Sequence, residues 1–307
     1  MPLRVVAGYA LMCLLWGSTW AAIKVGIAAV PPWTFALDRA VAVAALLTVV
    51  SLLLRQRFPR GRRVLGAAAL AGVFNVGSAW AIIFWSEQYV PSGVVAVFGA
   101  STPVWTAILA HFLVRGDRFT PLKVVALVAG LAGTVALIGA AGAGTGSEAL
   151  LATLLLALMA ASWGISAILA ARVLKDESPL PIIAVETAAG GLFLIPFAAS
   201  EVGRPVNWGG DSLIAFGYLV VLGSAVGLVL NLWLYRVLRP TTVSLAQVVI
   251  PAVALVIGTV ALAEPITSRM LFGAGLIVLA VAANARAGSA EPDERQHAPV
   301  ASPTAAE

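Results

Sequence analysis

The chain has 307 residues, of which 61% are hydrophobic and 11% charged, and its mean hydropathy is +0.99. A soluble domain carries roughly 25% charged residues, so the composition excludes a soluble globular protein and points to one that crosses the bilayer many times. The net charge of +5 is no nucleic-acid signature, because the basic residues fall in short loops between apolar runs, and the single cysteine, Cys13, excludes a disulfide framework and a thiolate metal site.

The first apolar run follows Arg4 and superficially looks like a signal peptide. The string Trp16-Gly17-Ser18-Thr19-Trp20 interrupts it and no small-residue cleavage site follows closely, so it reads as a spanning helix. A spanning helix needs about 20 residues. Segments at 5–23, 33–54, 64–85, 92–114, 121–141, 149–171, 180–199, 212–235, 241–263 and 269–286 meet that length. Barrel-type alternation is absent, and in hydrocarbon only helices then satisfy every backbone polar group. The predicted fold is an all-α membrane protein of ten transmembrane helices.

One pattern is written twice. Pro91 to Thr120 holds an apolar run with Pro103 near its middle, then Asp117 and Thr120; Pro240 to Thr267 repeats it with Pro251, Glu264 and Thr267. The prolines are 148 residues apart, and the acids and the threonines 147. Trp16-Gly17 recurs as Trp163-Gly164, again at 147. Two five-helix repeats, 1–141 and 149–286, are therefore predicted, followed by a polar, disordered cytoplasmic tail at 287–307. Five is odd, so the second repeat enters the membrane from the opposite side. Inverted repeats of this kind recur in secondary transporters, with the substrate site near the midplane. With the N-terminus in the cytoplasm, 15 basic residues fall on the inner side and only Lys24, Arg204 and Arg269 on the outer. The positive-inside rule then places both termini in the cytoplasm.

Trp16-Gly17-Ser18-Thr19 with Lys24, Arg39 in the second helix, and Pro103 followed by Asp117 resemble the pattern of the EamA family in the drug/metabolite transporter superfamily. Pro251 with Ala263-Glu264 repeats the theme, and the resemblance covers residues 5 to 286. Asp117 departs from the glutamate usual in the family. The resemblance implies a ten-helix bacterial inner-membrane carrier, often an exporter of amino acids, metabolites or drugs.

A charge at a helix centre costs about 2.5–3.5 kcal/mol on insertion scales. Arg39 is therefore a candidate to bind a substrate anion or gate the outer side, against a structural ion pair or snorkelling. Glu186, in the inverted counterpart of the second helix, is a candidate proton- or cation-binding carboxylate, against a hydrated residue near the cytoplasm. Asn75 and Trp80 lie in the third helix, and a central amide either meets substrate or bonds a neighbouring helix. Trp16, Thr19 and Trp163 are central and read as cavity walls or helix packing. Proline removes a backbone donor, so Pro103 and Pro251 are candidate hinges, with Gly99 and Gln247 one turn earlier freeing carbonyls for substrate unless Ser101 or Thr102 closes them. Asp117 and Glu264 read as acids beside the starts of the next helices, capped by Thr120 and Thr267.

No metal site and no cofactor is expected, and the expected partners are a small-molecule substrate and the lipid bilayer, with no nucleic acid, in a monomer or homodimer. The leading expectation is a secondary-active transporter exporting amino acids or other small metabolites or drugs, with proton coupling open. The alternatives are a flippase for lipid or lipid-linked precursors and, further off, an intramembrane enzyme. Against the enzyme stand the lack of HExxH, G-x-S-x-G and a mid-membrane histidine.

Overall fold

The computed structural model describes residues 2–113, 121–138, 146–174, 176–238 and 246–289. They are helical almost throughout, with no strand among them. The helical segments are α1 (Leu3–Ile27), α2 (Pro32–Leu53), α3 (Arg62–Ser86), α4 (Ser92–Phe112), α5 (Pro121–Ile138), α6 (Ser147–Leu174), α7 (Pro179–Ala199), α8 (Gly210–Asn231, helical on to Val237), α9 (Ala246–Leu262) and α10 (Ser268–Ser289). Among the described residues, seven of these (α1 to α4 and α6 to α8) are long and apolar enough to cross a membrane. Shorter apolar stretches run over Val249–Leu262 and Ser268–Ala283. Large apolar side chains such as Val41, Leu158, Leu192 and Val260 face outward, which only a lipid surround makes favourable.

The predicted segments coincide with these within a few residues. The predicted start of the ninth, the end of the fifth, Asp117, Thr120 and the tail beyond Ser289 lie outside the described residues. Prolines set several starts: Pro32 and Pro179 occupy the first helical turn, where the missing N–H has no helical partner to lose.

Packing pairs like with like. α5 lies along α10, α2 along α7 and α4 along α9; α1 packs on α8 and α9, and α6 on α3 and α4. Exchanging the first five segments with the last five leaves this neighbour pattern unchanged. Of three wide π-helical turns among the described residues, two obey the same exchange and the third, Ala170–Leu174 in α6, has no counterpart in α1. The matched two occupy Val73–Ser78 in α3 and Leu219–Val226 in α8, and the 147-residue offset lays 73–78 on 220–225. Such a turn breaks the regular backbone ladder and marks functional sites disproportionately often.

The two prolines behave differently. α4 is interrupted at Ser101, between Ser92–Ala100 and Thr102–Leu113, so Pro103 stands in the first turn of the second piece. The carbonyl of Gly99 accepts the Thr102 hydroxyl at 2.7 Å, and that of Phe98 accepts the Ser101 hydroxyl at 2.6 Å. Local hydroxyls thus close the kink. Pro251 stays inside continuous helix.

Glu264 requires a correction. It does not serve the start of α10; that start is capped by Thr267 alone, whose Oγ1 accepts from Met270 N at 3.2 Å. The Glu264 carboxylate instead accepts from Ser92 N at 2.9 Å and Ser92 Oγ at 2.8 Å, at the first residue of α4. Lys24, at the end of α1, lies 3.3 Å from the same carboxylate and donates to Val90 O at 2.8 Å. Glu201, after α7, caps α2 through Thr34 N at 2.8 Å and Thr34 Oγ1 at 2.9 Å. Carboxylates from the second half thus tie down helix starts of the first at one end of the bundle, where the oriented N–H dipoles favour negative charge.

Candidate functional site

A cavity of about 370 Å³ lies among α1, α2, α3, α4, α6, α7, α8 and α9. Its size suits a small metabolite. Of the sequence candidates, Trp16, Thr19, Arg39, Asn75, Trp80, Trp163 and Pro251 line it. Glu186 and Pro103 do not. Gln247 belongs to α9, and its side chain lies outside the described residues.

Two tryptophans build the walls by one device. Trp16 Nε1 donates to Gly223 O at 3.2 Å, in the wide turn of α8. Trp163 Nε1 donates to Asn75 O at 3.0 Å, in the wide turn of α3. Each indole donates to a carbonyl inside a wide turn, and each leaves its ring against the cavity. A buried indole N–H left without its acceptor would cost about 1–3 kcal/mol, which holds both rings in place. Trp163 also sets Gly99: a Cβ there would stand 3.0 Å from the ring. Among the wall residues that the sequence reading did not place there are Trp20 and Ser224. Trp20 lies 6.3 Å from the Trp163 ring, centroid to centroid, and its placement four residues after Trp16 on one helix face was the available signal. Ser224 had no such signal, standing in a run of small and apolar residues.

Arg39 supplies the positive charge of the wall. It is 7% exposed. Its guanidinium carbon sits 4.2 Å from the Trp80 ring centroid and 5.9 Å from that of Phe84, within cation–π range. Nη2 points to Ser224 Oγ at 3.5 Å, the long limit of a hydrogen bond, and Nε has no partner among the described residues. No carboxylate among the described residues forms an ion pair with it, its neighbour Asp38 included.

Glu186 stands 147 positions after Arg39, at the same place in the second half. It is 5% exposed and accepts from Asn75 Nδ2 at 3.2 Å. Asn75 therefore stands between it and the cavity. The arrangement can hold an anion on a guanidinium, enclose a flat or apolar body between indoles, and offer hydroxyls of Thr19 and Ser224 beside it. Among the described residues no His, Cys, Asp and Glu cluster could hold a metal.

The model of the EamA-like transporter family matches residues 4–139 and again 150–286. The chain belongs to the EamA-like transporter family. Curated transporters match it over most of its length. The uncharacterized transporter YoaV of Bacillus subtilis is 24% identical over 282 residues, covering 92% of this chain and 96% of YoaV. The uncharacterized inner membrane transporter YedA of Escherichia coli K12 is 26% identical over 272 residues, 87% of this chain and 86% of YedA. A probable terminal-alkyne amino-acid exporter of Streptantibioticus cattleyicolor is 26% identical over 282 residues, 91% and 92% of the two chains. One solved crystal structure shares the fold with a TM-score of 0.59 at 20% identity, over 91% of this chain and 96% of that one. The doubled family match and the apolar helices make this a multi-pass membrane protein of transporter kinship.

Proposed function

We propose that the protein is a secondary-active carrier of the bacterial inner membrane that exports small carboxylate-bearing metabolites, amino acids among them, by alternating access. The observation that carries the reading is Arg39, a buried cavity-wall guanidinium with an unpaired Nε and no carboxylate paired to it among the described residues. A charge so placed is stable only with a partner, and a solute carboxylate supplies one with charge-assisted hydrogen bonds. Trp16, Trp20, Trp80 and Trp163 would enclose the apolar part of the solute. The outward direction leans on the kinship with the Streptantibioticus exporter.

In this reading the fold is ten transmembrane helices in two inverted five-helix repeats, 1–141 and 149–286, with both termini cytoplasmic. The matched wide turns, the matched tryptophans and the 15-to-3 division of basic residues support it. Pro103 and Pro251 are the hinges about which α4 and α9 bend. Proton coupling needs a buried carboxylate, and Glu186 is one candidate; unchanged transport and pH dependence in a Glu186→Gln variant removes it from that role.

The test is metabolite profiling of medium from cells overproducing the protein, against cells making Arg39→Ala at equal membrane abundance. One class of carboxylate-bearing compound should accumulate only with the parent protein. Identical media together with lipid precursors redistributed between leaflets would replace the exporter with a flippase on the same fold.

A further inference from the structure

The side-chain amide of Asn75 has two ends, and the protein engages only one of them. Nδ2 donates to Glu186 Oε2, on α7, at 3.2 Å. A carboxylate oxygen accepts, so the amide is turned with its nitrogen toward α7. Oδ1 is then the end directed away from Glu186, and it has no hydrogen-bond partner among the described residues. The backbone beneath it is held, because Asn75 O accepts from Trp163 Nε1 at 3.0 Å. Asn75 lines the cavity, so its unengaged carbonyl belongs to the wall.

The other polar side chains of the wall are disposed differently. Thr19, Thr187 and Ser224 each give the hydroxyl proton to a carbonyl of their own helix, at 2.6, 2.7 and 2.9 Å. Among the described residues, Arg39 is the only charged side chain on the wall. The cavity thus presents one cation and one amide oxygen, the latter backed by a carboxyl group. The two are neighbours. The Arg39 guanidinium carbon lies 4.2 Å from the Trp80 ring centroid, and Trp80 follows Asn75 by five positions. The wide turn over Val73–Ser78 bonds i to i+5, which stacks positions so spaced on one face of α3. One helical turn is roughly 5 Å. A solute with a carboxylate and an amino group on the same carbon spans such a gap, given a hydrogen bond of about 3 Å at each end.

We propose that Asn75 Oδ1 accepts a hydrogen bond from the amino group of the solute, so that the cavity selects α-amino acids over carboxylates that lack one. The inference rests on the reading of Arg39 as the partner of the solute's carboxylate and deepens it. Glu186 is a positioning residue for this contact. It holds the amide nitrogen, so that the oxygen meets the ammonium; a reversed amide would set N–H against N–H.

The test compares three ligands that share one flat body: L-phenylalanine, 3-phenylpropionate, which lacks the amino group, and 2-phenylethylamine, which lacks the carboxylate. Binding to the full-length protein in detergent is read by the fluorescence of the cavity tryptophans. L-Phenylalanine should bind the parent roughly tenfold tighter than 3-phenylpropionate, the worth of one charge-assisted hydrogen bond. Asn75→Leu, close to asparagine in shape, should bind both ligands alike and keep the parent's affinity for 3-phenylpropionate. Glu186→Leu should lose much of the preference, and Glu186→Gln, which keeps an accepting oxygen for Nδ2, should restore it. Equal binding of the two ligands by the parent, or binding of neither, overturns the proposal. So does a preference that survives in Asn75→Leu. Parallel losses of both ligands in Asn75→Leu mark a structural role and overturn it too. A preference untouched by Glu186→Leu takes the positioning role from Glu186.

Arg39 is tested separately. If 3-phenylpropionate binds Arg39→Ala as it binds the parent, the reading of Arg39 fails. Asn75 is then judged without it. 2-Phenylethylamine should bind Arg39→Ala roughly tenfold tighter than it binds the double variant Arg39→Ala, Asn75→Leu. Equal binding there overturns the role of Asn75, whatever becomes of Arg39.

Discussion

The crossing of α2 with α8 and the crossing of α3 with α7 are the same crossing in the two halves, built from different side chains. On the α3 side stand Gly72, Gly77 and Gly190; the positions 147 away on the α8 side are Leu219, Ser224 and Val43. The glycines close the α3–α7 seam backbone to backbone. A Cβ on Gly72 would lie 2.1 Å from Glu186 O, and one on Gly190 would lie 2.8 Å from Gly72 O. On the other side Ser224 and Val43 hold the helices apart, and both line the cavity. The charges diverge in step. Arg39 faces the open crossing and Glu186 the closed one, where Asn75 holds it. A duplicated backbone therefore does not imply a duplicated site: side-chain bulk at three positions decides which crossing opens and which is sealed.

The comparison is broken most sharply at the two charges. Arg39→Ala should lower transport roughly a hundredfold at unchanged abundance, because an anion left without its buried partner loses about 3 kcal/mol. Glu186→Ala should lower it far less, since Glu186 does not touch the cavity. Transport rates in proteoliposomes decide between equal and unequal losses.

The glycine seam comes next. Gly72→Ala should destabilise the folded protein by about 3 kcal/mol, at the upper end for overpacking, because the obstacle is backbone. Gly77→Ser, which writes the α8 residue into α3, meets Phe193 at 2.8 Å and should cost less. Ser224→Gly should leave thermal stability nearly unchanged and weaken substrate binding. Thermal unfolding in detergent measures all three.

Trp16→Phe and Trp163→Phe probe the shared part of the design. Each removes one buried indole hydrogen bond into a wide turn, so each should lose about 1 kcal/mol, and the two losses should match. Unequal losses would show that the halves differ here too. The smallest effect is expected at the partly exposed Lys24–Glu264 contact. Glu264→Ala should cost about 1 kcal/mol through the lost cap on α4, and Lys24→Met less.

Much of the fold was legible in the chain. Spanning segments are long apolar runs, and the bilayer leaves them no structure but helix. The offset of 147 residues exposed the repeat because Trp16 and Trp163 do the same work in matching wide turns, on carbonyls that stand one position out of register. The site was legible only where a residue type is anomalous in lipid. Arg39, Asn75 and the central tryptophans stand out in a hydrocarbon-soluble sequence; Ser224 does not. Glu264 was assigned to the wrong helix because its acceptor role was sought nearby, whereas Ser92 lies 172 residues away in sequence.

The sequence by itself determined the class, the segments, the repeat and the candidate charges, since each follows from local hydropathy or fixed spacing. The tertiary structure alone decided which charge reaches the cavity, which carboxylate caps which helix, and that Glu87 is buried with neither oxygen partnered among the described residues. Those depend on how closely helices distant in sequence approach, and that distance is set by side chains meeting across a crossing.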